Sequence, residues 1–82
     1  MSGNKTWDGV KLTKIVKAAR NIPGITVRQG SKHLDVLNYP GLEPCPIATS
    51  TNCRKMVVPW MKQIVDYRAK EIYAYLKKGK WA

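Results

Sequence analysis

The stretch Ile25-Thr26-Val27-Arg28-Gln29-Gly30-Ser31-Lys32-His33-Leu34-Asp35-Val36-Leu37-Asn38-Tyr39 decides the fold. Its first five residues alternate apolar and polar and are rich in β-branched side chains, which predicts a strand. Gly30-Ser31 is a tight-turn dipeptide. From His33 to Tyr39 the alternation resumes. Leu34, Val36 and Asn38 then share one face, and His33, Asp35, Leu37 and Tyr39 the other. So short a connection makes the two strands an antiparallel hairpin.

Outward from the hairpin the pattern changes. Upstream, Leu12, Ile15, Val16 and Ala19 recur at helical spacing, which predicts a helix from about Asp8 to Arg20. Asp8 is its candidate N-cap, with Thr6 in competition. The cluster Asn21-Ile22-Pro23-Gly24 ends it. Downstream, residues 40–53 hold Pro40, Gly41, Pro44 and Pro46 and read as loop, with Ile47-Ala48-Thr49 as an optional short edge strand. Arg54-Lys55-Met56-Val57-Val58 predicts a third strand stopped by Pro59. Pro59 also suits the first turn of a helix. The stripe Met61, Ile64, Val65, Ala69, Ile72 and Leu76 makes that helix about residues 60–78, with Gly79 as its stop. The expected architecture is a single α+β domain over residues 8–78, in the order α-β-β-β-α. A small antiparallel three-stranded sheet carries two helices on one face, and residues 1–7 and 79–82 are flexible termini.

Composition narrows the function. The 82 residues suit one domain, and 44% hydrophobic residues suffice for a core. No apolar run approaches the roughly 20 residues of a membrane span, and MSGNKTWDG lacks the apolar segment of a signal peptide. A cytoplasmic protein with reduced Cys45 and Cys53 is expected; their spacing fits no zinc pattern, and neither metal nor cofactor is expected. Fifteen Lys and Arg against five Asp and Glu give a formal charge of +10. The cations flank a middle, residues 34–53, that holds none. Such an excess points to a polyanion, above all nucleic acid.

The element order, with cations on both helices, resembles the layout of double-stranded-RNA-binding folds. Within it, Val27-Arg28-Gln29-Gly30-Ser31-Lys32-His33 resembles the strand-turn-strand signature of the HicA (YcfA-like) toxin family: a hydrophobic strand, Gly-Ser, one variable residue or His, then His. The Val58-Pro59 step resembles the apolar-Pro step that closes the family's third strand before its second helix. Trp60 and Met61 follow it here, where the family often has a further His or basic residue. The resemblance implies a ribosome-independent endoribonuclease that cleaves messenger RNA with one histidine, and a cognate HicB-like antitoxin that masks it.

His33 is the one histidine of the chain, so any imidazole chemistry rests there. A base that takes the proton of a ribose 2′-OH lets that oxygen attack the adjacent phosphorus without metal, and imidazole, with an ordinary pKa of about 6.5, suits this. Neighbouring Arg28 and Lys32 favour its neutral form and can stabilise the extra charge of the phosphorane. On alternation, Arg28 and His33 face each other across the hairpin. The candidate RNA-binding residues are Lys11, Lys14 and Lys17 on the first helix, Arg28, Gly30, Ser31 and Lys32 on the hairpin, and Arg54 and Lys55 on the third strand, with Lys62, Arg68 and Lys70 as additions. Gly30 and Ser31 serve the turn, a phosphate, or both. Of the tryptophans, Trp60 is expected in the core, and Trp7 and Trp81 in packing or partner contacts, although all three can stack on bases.

Three functions fit these residues. One is the HicA-like toxin. Another is a non-catalytic RNA-binding or regulatory module on the same fold. The third is an interaction protein whose charge meets an acidic partner.

Overall fold

Helix α1 (Leu12–Arg20) forms on the expected stripe, burying Leu12, Ile15, Ala18 and Ala19. The Asn21 side chain donates to the carbonyl of Lys17 at 2.8 Å and closes the last turn. The chain then reverses through Gly24, whose φ of 92° is open to few residues other than glycine. The computed structural model describes residues 4–29 and 35–81. Among them no helix is long and apolar enough to cross a membrane.

Strands β1 (Thr26–Gln29), β2 (Asp35–Asn38) and β3 (Cys45–Ile47) make one antiparallel sheet in the order β1-β2-β3. Val27, Leu37 and Cys45 stand in one cross-strand row, and Arg28, Val36 and Pro46 in the next. The row with Leu37 and the fully buried Ile47 face the core. Arg28, Val36 and Pro46, with Thr26 and Asn38, form the outer face. This is the division of Val36 and Asn38 from Asp35 and Leu37 that alternation predicts. Pro46 is tolerated because β3 is an edge strand.

The third strand is not where its sequence suggests. Arg54–Val58, predicted as strand, is helical: Cys53–Val57 is a π-helix that runs into α2 (Val58–Lys62). The physical reason lies far away in sequence. The Asp8 carboxylate accepts from the amides of Cys53 and Arg54, at 2.8 and 3.0 Å, and the Asn52 side chain accepts from the Lys55 amide at 3.0 Å. These bonds satisfy the donors that a helix start leaves unpaired. A five-residue run with three apolar side chains is ambiguous between strand and helix until such partners are counted. Asp8 therefore caps this helix and not α1, whose N-cap is Lys11 without a side-chain bond. The third strand comes from Cys45–Ile47, overlapping the optional edge strand.

The long second helix is also divided. Gln63, Ile64 and Val65 close the last turn of α2 by donating to Trp60 and Met61. The chain restarts as α3 (Ala69–Lys78), where the Glu71 carboxylate accepts from the Arg68 amide at 3.1 Å. The observed domain is thus α+β in the order α-β-β-β-α, with its final helical part in pieces. Ile15, Leu37, Ile47, Met61, Ile72 and Leu76 are fully buried between the helices and the sheet.

The packed unit extends beyond residues 8–78 at both ends. Thr6 is buried and its hydroxyl accepts from the Val10 amide at 3.0 Å, while the Trp7 amide donates to Thr51 at 2.8 Å. At the other end Gly79 ends α3 at φ 81°. A Cβ there would lie 2.7 Å from Lys14 Cδ and 3.3 Å from Lys14 Cα. Gly79→Ala therefore combines a left-handed conformation with a clash against α1. We expect a loss of about 2 kcal/mol and a fall in Tm of roughly 10 °C. An unchanged melting curve would show that the α1–α3 contact has room to spare.

Candidate nucleic-acid interface

The expected RNA-binding residues divide by element. Lys11 and Lys17 are exposed on α1. Lys14 is not equally free: its stem packs on Gly79 and its Nζ donates to the Lys78 carbonyl at 3.4 Å. That position, at the C-terminal end of α3, suits a cation. Arg28 is exposed on the outer face of β1, opposite Val36. Arg54 and Lys55 are exposed at the start of the π-helix, not on a strand. Gly30, Ser31, Lys32 and the candidate catalytic His33 lie outside the described residues, but the expected Arg28–His33 pairing across the hairpin is corrected by the register, in which the partner of Arg28 is Val36. The described ladder brackets them through the pair Gln29–Asp35.

Tertiary structure groups cations that the sequence leaves apart. Arg54, Ala69, Lys70 and Tyr73 line a cleft of about 280 Å³, so Arg54 and Lys70 share one cleft although sixteen positions apart in the chain. Lys5, absent from the expected set, forms an isolated antiparallel bridge with Lys11. Both are exposed, which concentrates positive charge beside the start of α1.

Under the Arg54–Lys70 cleft lies Asp8. Its burial alone would raise its pKa, but hydrogen bonds from Thr6 Oγ1, the Cys53 and Arg54 amides and Tyr73 Oη outweigh that and hold it at about 2. The Thr6 and Tyr73 bonds are 2.6 and 3.0 Å long. Tyr73 is in turn raised, by burial first and then by the Asp8 carboxylate that accepts its proton. Asp8 is thus a fixed anion with its lone pairs occupied, built to join three segments.

No family model, no curated protein and no solved structure matches the chain. Functional assignment therefore rests on the chain's own residues.

The cysteines do not extend the site. Burial pushes the Cys45 thiol up to about 11. Burial, reinforced by Asp8 and Cys45, pushes Cys53 to about 12. Both are free, buried thiols, and a protonated thiol is a poor nucleophile. Trp60 is a core residue, with its Nε1 donating to the Glu43 carbonyl at 2.7 Å. Trp7, by contrast, is 76% exposed and packs little. Trp81 joins Tyr67 and Tyr75 in an aromatic cluster that periodicity alone does not reveal, because the three residues come from the α2–α3 connection, α3 and the segment after it.

Proposed function

We propose that the chain is a HicA-like toxin of a type II toxin–antitoxin pair: a metal-independent endoribonuclease that cleaves messenger RNA with His33 as general acid/base and is masked by a HicB-like antitoxin. The observation that supports this reading best is Arg28, exposed on the outer face of β1 next to the segment carrying Gly30, Ser31, Lys32 and His33. In this reaction the imidazole takes the 2′-OH proton, the 2′ oxygen bonds to the adjacent phosphorus, and the 5′ oxygen leaves with a proton. The products are a 2′,3′-cyclic phosphate and a 5′-OH. A guanidinium at the phosphate stabilises the added charge of the phosphorane. The exposed Lys11, Lys17, Arg54 and Lys55 hold further phosphates.

A second reading, the non-catalytic RNA-binding module, draws on Trp60. Its ring fills the core at the position where the resembled family often carries a basic side chain.

The test is incubation of purified protein with messenger RNA in EDTA at two or more salt concentrations. Cleavage to cyclic-phosphate ends is expected. Binding should weaken with salt, with a log–log slope of roughly −3 to −5 for some four to six phosphates. Salt-sensitive binding that leaves the RNA intact would assign the chain to the second reading. Absence of RNA affinity would overturn both.

A further inference from the structure

A second feature of the surface, on the side of Trp81, remains unused by this chemistry. Asn21, Ile22, Pro23, Val65, Asp66, Tyr67 and Trp81 line an open cavity of about 380 Å³. That volume lies within the range of small-ligand pockets, which begins at about 300 Å³. We infer that this cavity is a nucleobase slot that takes an unpaired guanine of single-stranded RNA, an inference that rests on the proposed RNA-directed function.

The slot has a stacking plate. Trp81 is held by Tyr75 at 5.1 Å and by Tyr67 at 5.9 Å between ring centroids, and the two tyrosines meet edge to face at 5.7 Å. Contacts with both tyrosines restrict the Trp81 ring, so stacking on it costs little further entropy. Ile22, Pro23 and Val65 supply the apolar remainder. Base–aromatic stacking of this kind is the common way of holding single-stranded nucleic acid.

The surroundings fit the phosphates on either side of such a base. Lys78 Nζ lies 5.8 Å from the Tyr75 ring centroid. Arg20, Arg68 and Lys80 are exposed and adjoin the lining residues Asn21, Tyr67 and Trp81 in sequence. Exposed cations next to the lining residues in sequence suit a base carried between phosphates, and favour a nucleotide over a purely apolar occupant.

The polar lip selects among bases. Asp66 is exposed and its carboxylate accepts only. The amide nitrogen of Asn21 gives one of its two protons to the Lys17 carbonyl, and its oxygen can accept as well. The two oxygens of the Asp66 carboxylate fit a Watson–Crick edge rich in donors. Guanine offers two adjacent donors, N1–H and N2–H2, which match the two oxygens of one carboxylate. Adenine, cytosine and uracil each offer a single donor group on that edge.

The experiment measures binding of pentanucleotides that differ only at the central position: guanine, adenine or an abasic site. Wild-type protein should bind the guanine oligomer about ten-fold more tightly than the abasic one. Tyr67→Ala and Trp81→Ala should each bring that ratio close to one while leaving abasic affinity unchanged. Thermal melts identify a variant that fails to fold, and the exposed position of Tyr67 makes it the safer of the two. Asp66→Asn should erase the preference for guanine over adenine while keeping the gain over the abasic site. Equal binding of all three oligomers by wild type overturns the slot and leaves the RNA-directed reading intact. Binding of none of them, with intact messenger RNA also unbound, overturns both. Capture of an acidic polypeptide that Tyr67→Ala abolishes, without oligomer binding, overturns the slot in favour of a protein-docking face.

Discussion

His33→Ala is expected to lower RNA cleavage by about 10²- to 10⁴-fold, the usual range for loss of a general acid or base. RNA affinity should stay within about two-fold, because the exposed cations of α1, β1 and the π-helix are untouched. Induced expression should show the same split: growth arrest and loss of messenger RNA with wild type, and neither with the variant. Neither a second imidazole nor a thiolate can take over. The chain has no second histidine, and burial keeps both thiols protonated at neutral pH. The acidic limb of the cleavage rate against pH should follow an imidazole, rising as it deprotonates near its ordinary value of about 6.5 and moving lower with cations nearby. Arg28→Ala should slow cleavage with little change in that limb's shape. Wild-type cleavage by His33→Ala would remove histidine from the mechanism altogether.

Asp8→Ala is expected to destabilise the domain by about 2–3 kcal/mol, and to lower Tm by on the order of 10 °C or more. The carboxylate accepts four hydrogen bonds, two of them from the first amides of the π-helix. Truncation leaves those amides, Thr6 and Tyr73 without their partner. Asp8→Asn keeps the shape but loses the charge, and should fall between wild type and alanine. The pH dependence has a definite sign. The folded pKa of about 2 lies below the ordinary value of 3.8, so the carboxylate's stabilisation is complete above about pH 4. It is lost as pH falls through 2. The shift corresponds to about 2 kcal/mol once partial solvent screening is allowed for. Melts of wild type and Asp8→Asn between pH 5 and pH 2 should therefore converge on acidification. A constant gap between them would place the effect in packing and not in charge.

Where a segment's partners are local, its sequence reads directly as structure. The α1 stripe, the breaker at Asn21–Gly24 and the alternation across β2 are all of this kind. The α+β class and the leading α-β-β follow from them, whereas the third strand, expected at Arg54–Val58, is supplied by Cys45–Ile47. Arg54–Val58 is the opposite case. Its two valines suit a strand, and a carboxylate more than forty residues upstream makes it helical. Likewise the stripe from Met61 to Leu76 is continuous on paper, yet the chain turns at Gln63–Arg68 and restarts on a new N-terminus set by Glu71. The candidate site divides the same way. Exposure of Lys11, Lys17 and Arg28 follows from periodicity. The cleft shared by Arg54 and Lys70, and the meeting of Lys5 with Lys11 and of Trp81 with two tyrosines, depend on tertiary contact. The role of Lys14 as a brace against Gly79 is equally invisible without α3 in place.

The Asp8 junction also bears on the order of assembly. Its bonds reach Cys53 and Tyr73, across 45 and 65 positions of chain. Such closures are entropically late, because a long loop must be drawn in before the contact rewards it. On a ribosome, the residue that starts the π-helix is made 65 positions before the tyrosine that completes its shell. The nascent chain accordingly holds the hairpin and α1 well before it holds a finished domain, and maturation is gated by the emergence of α3.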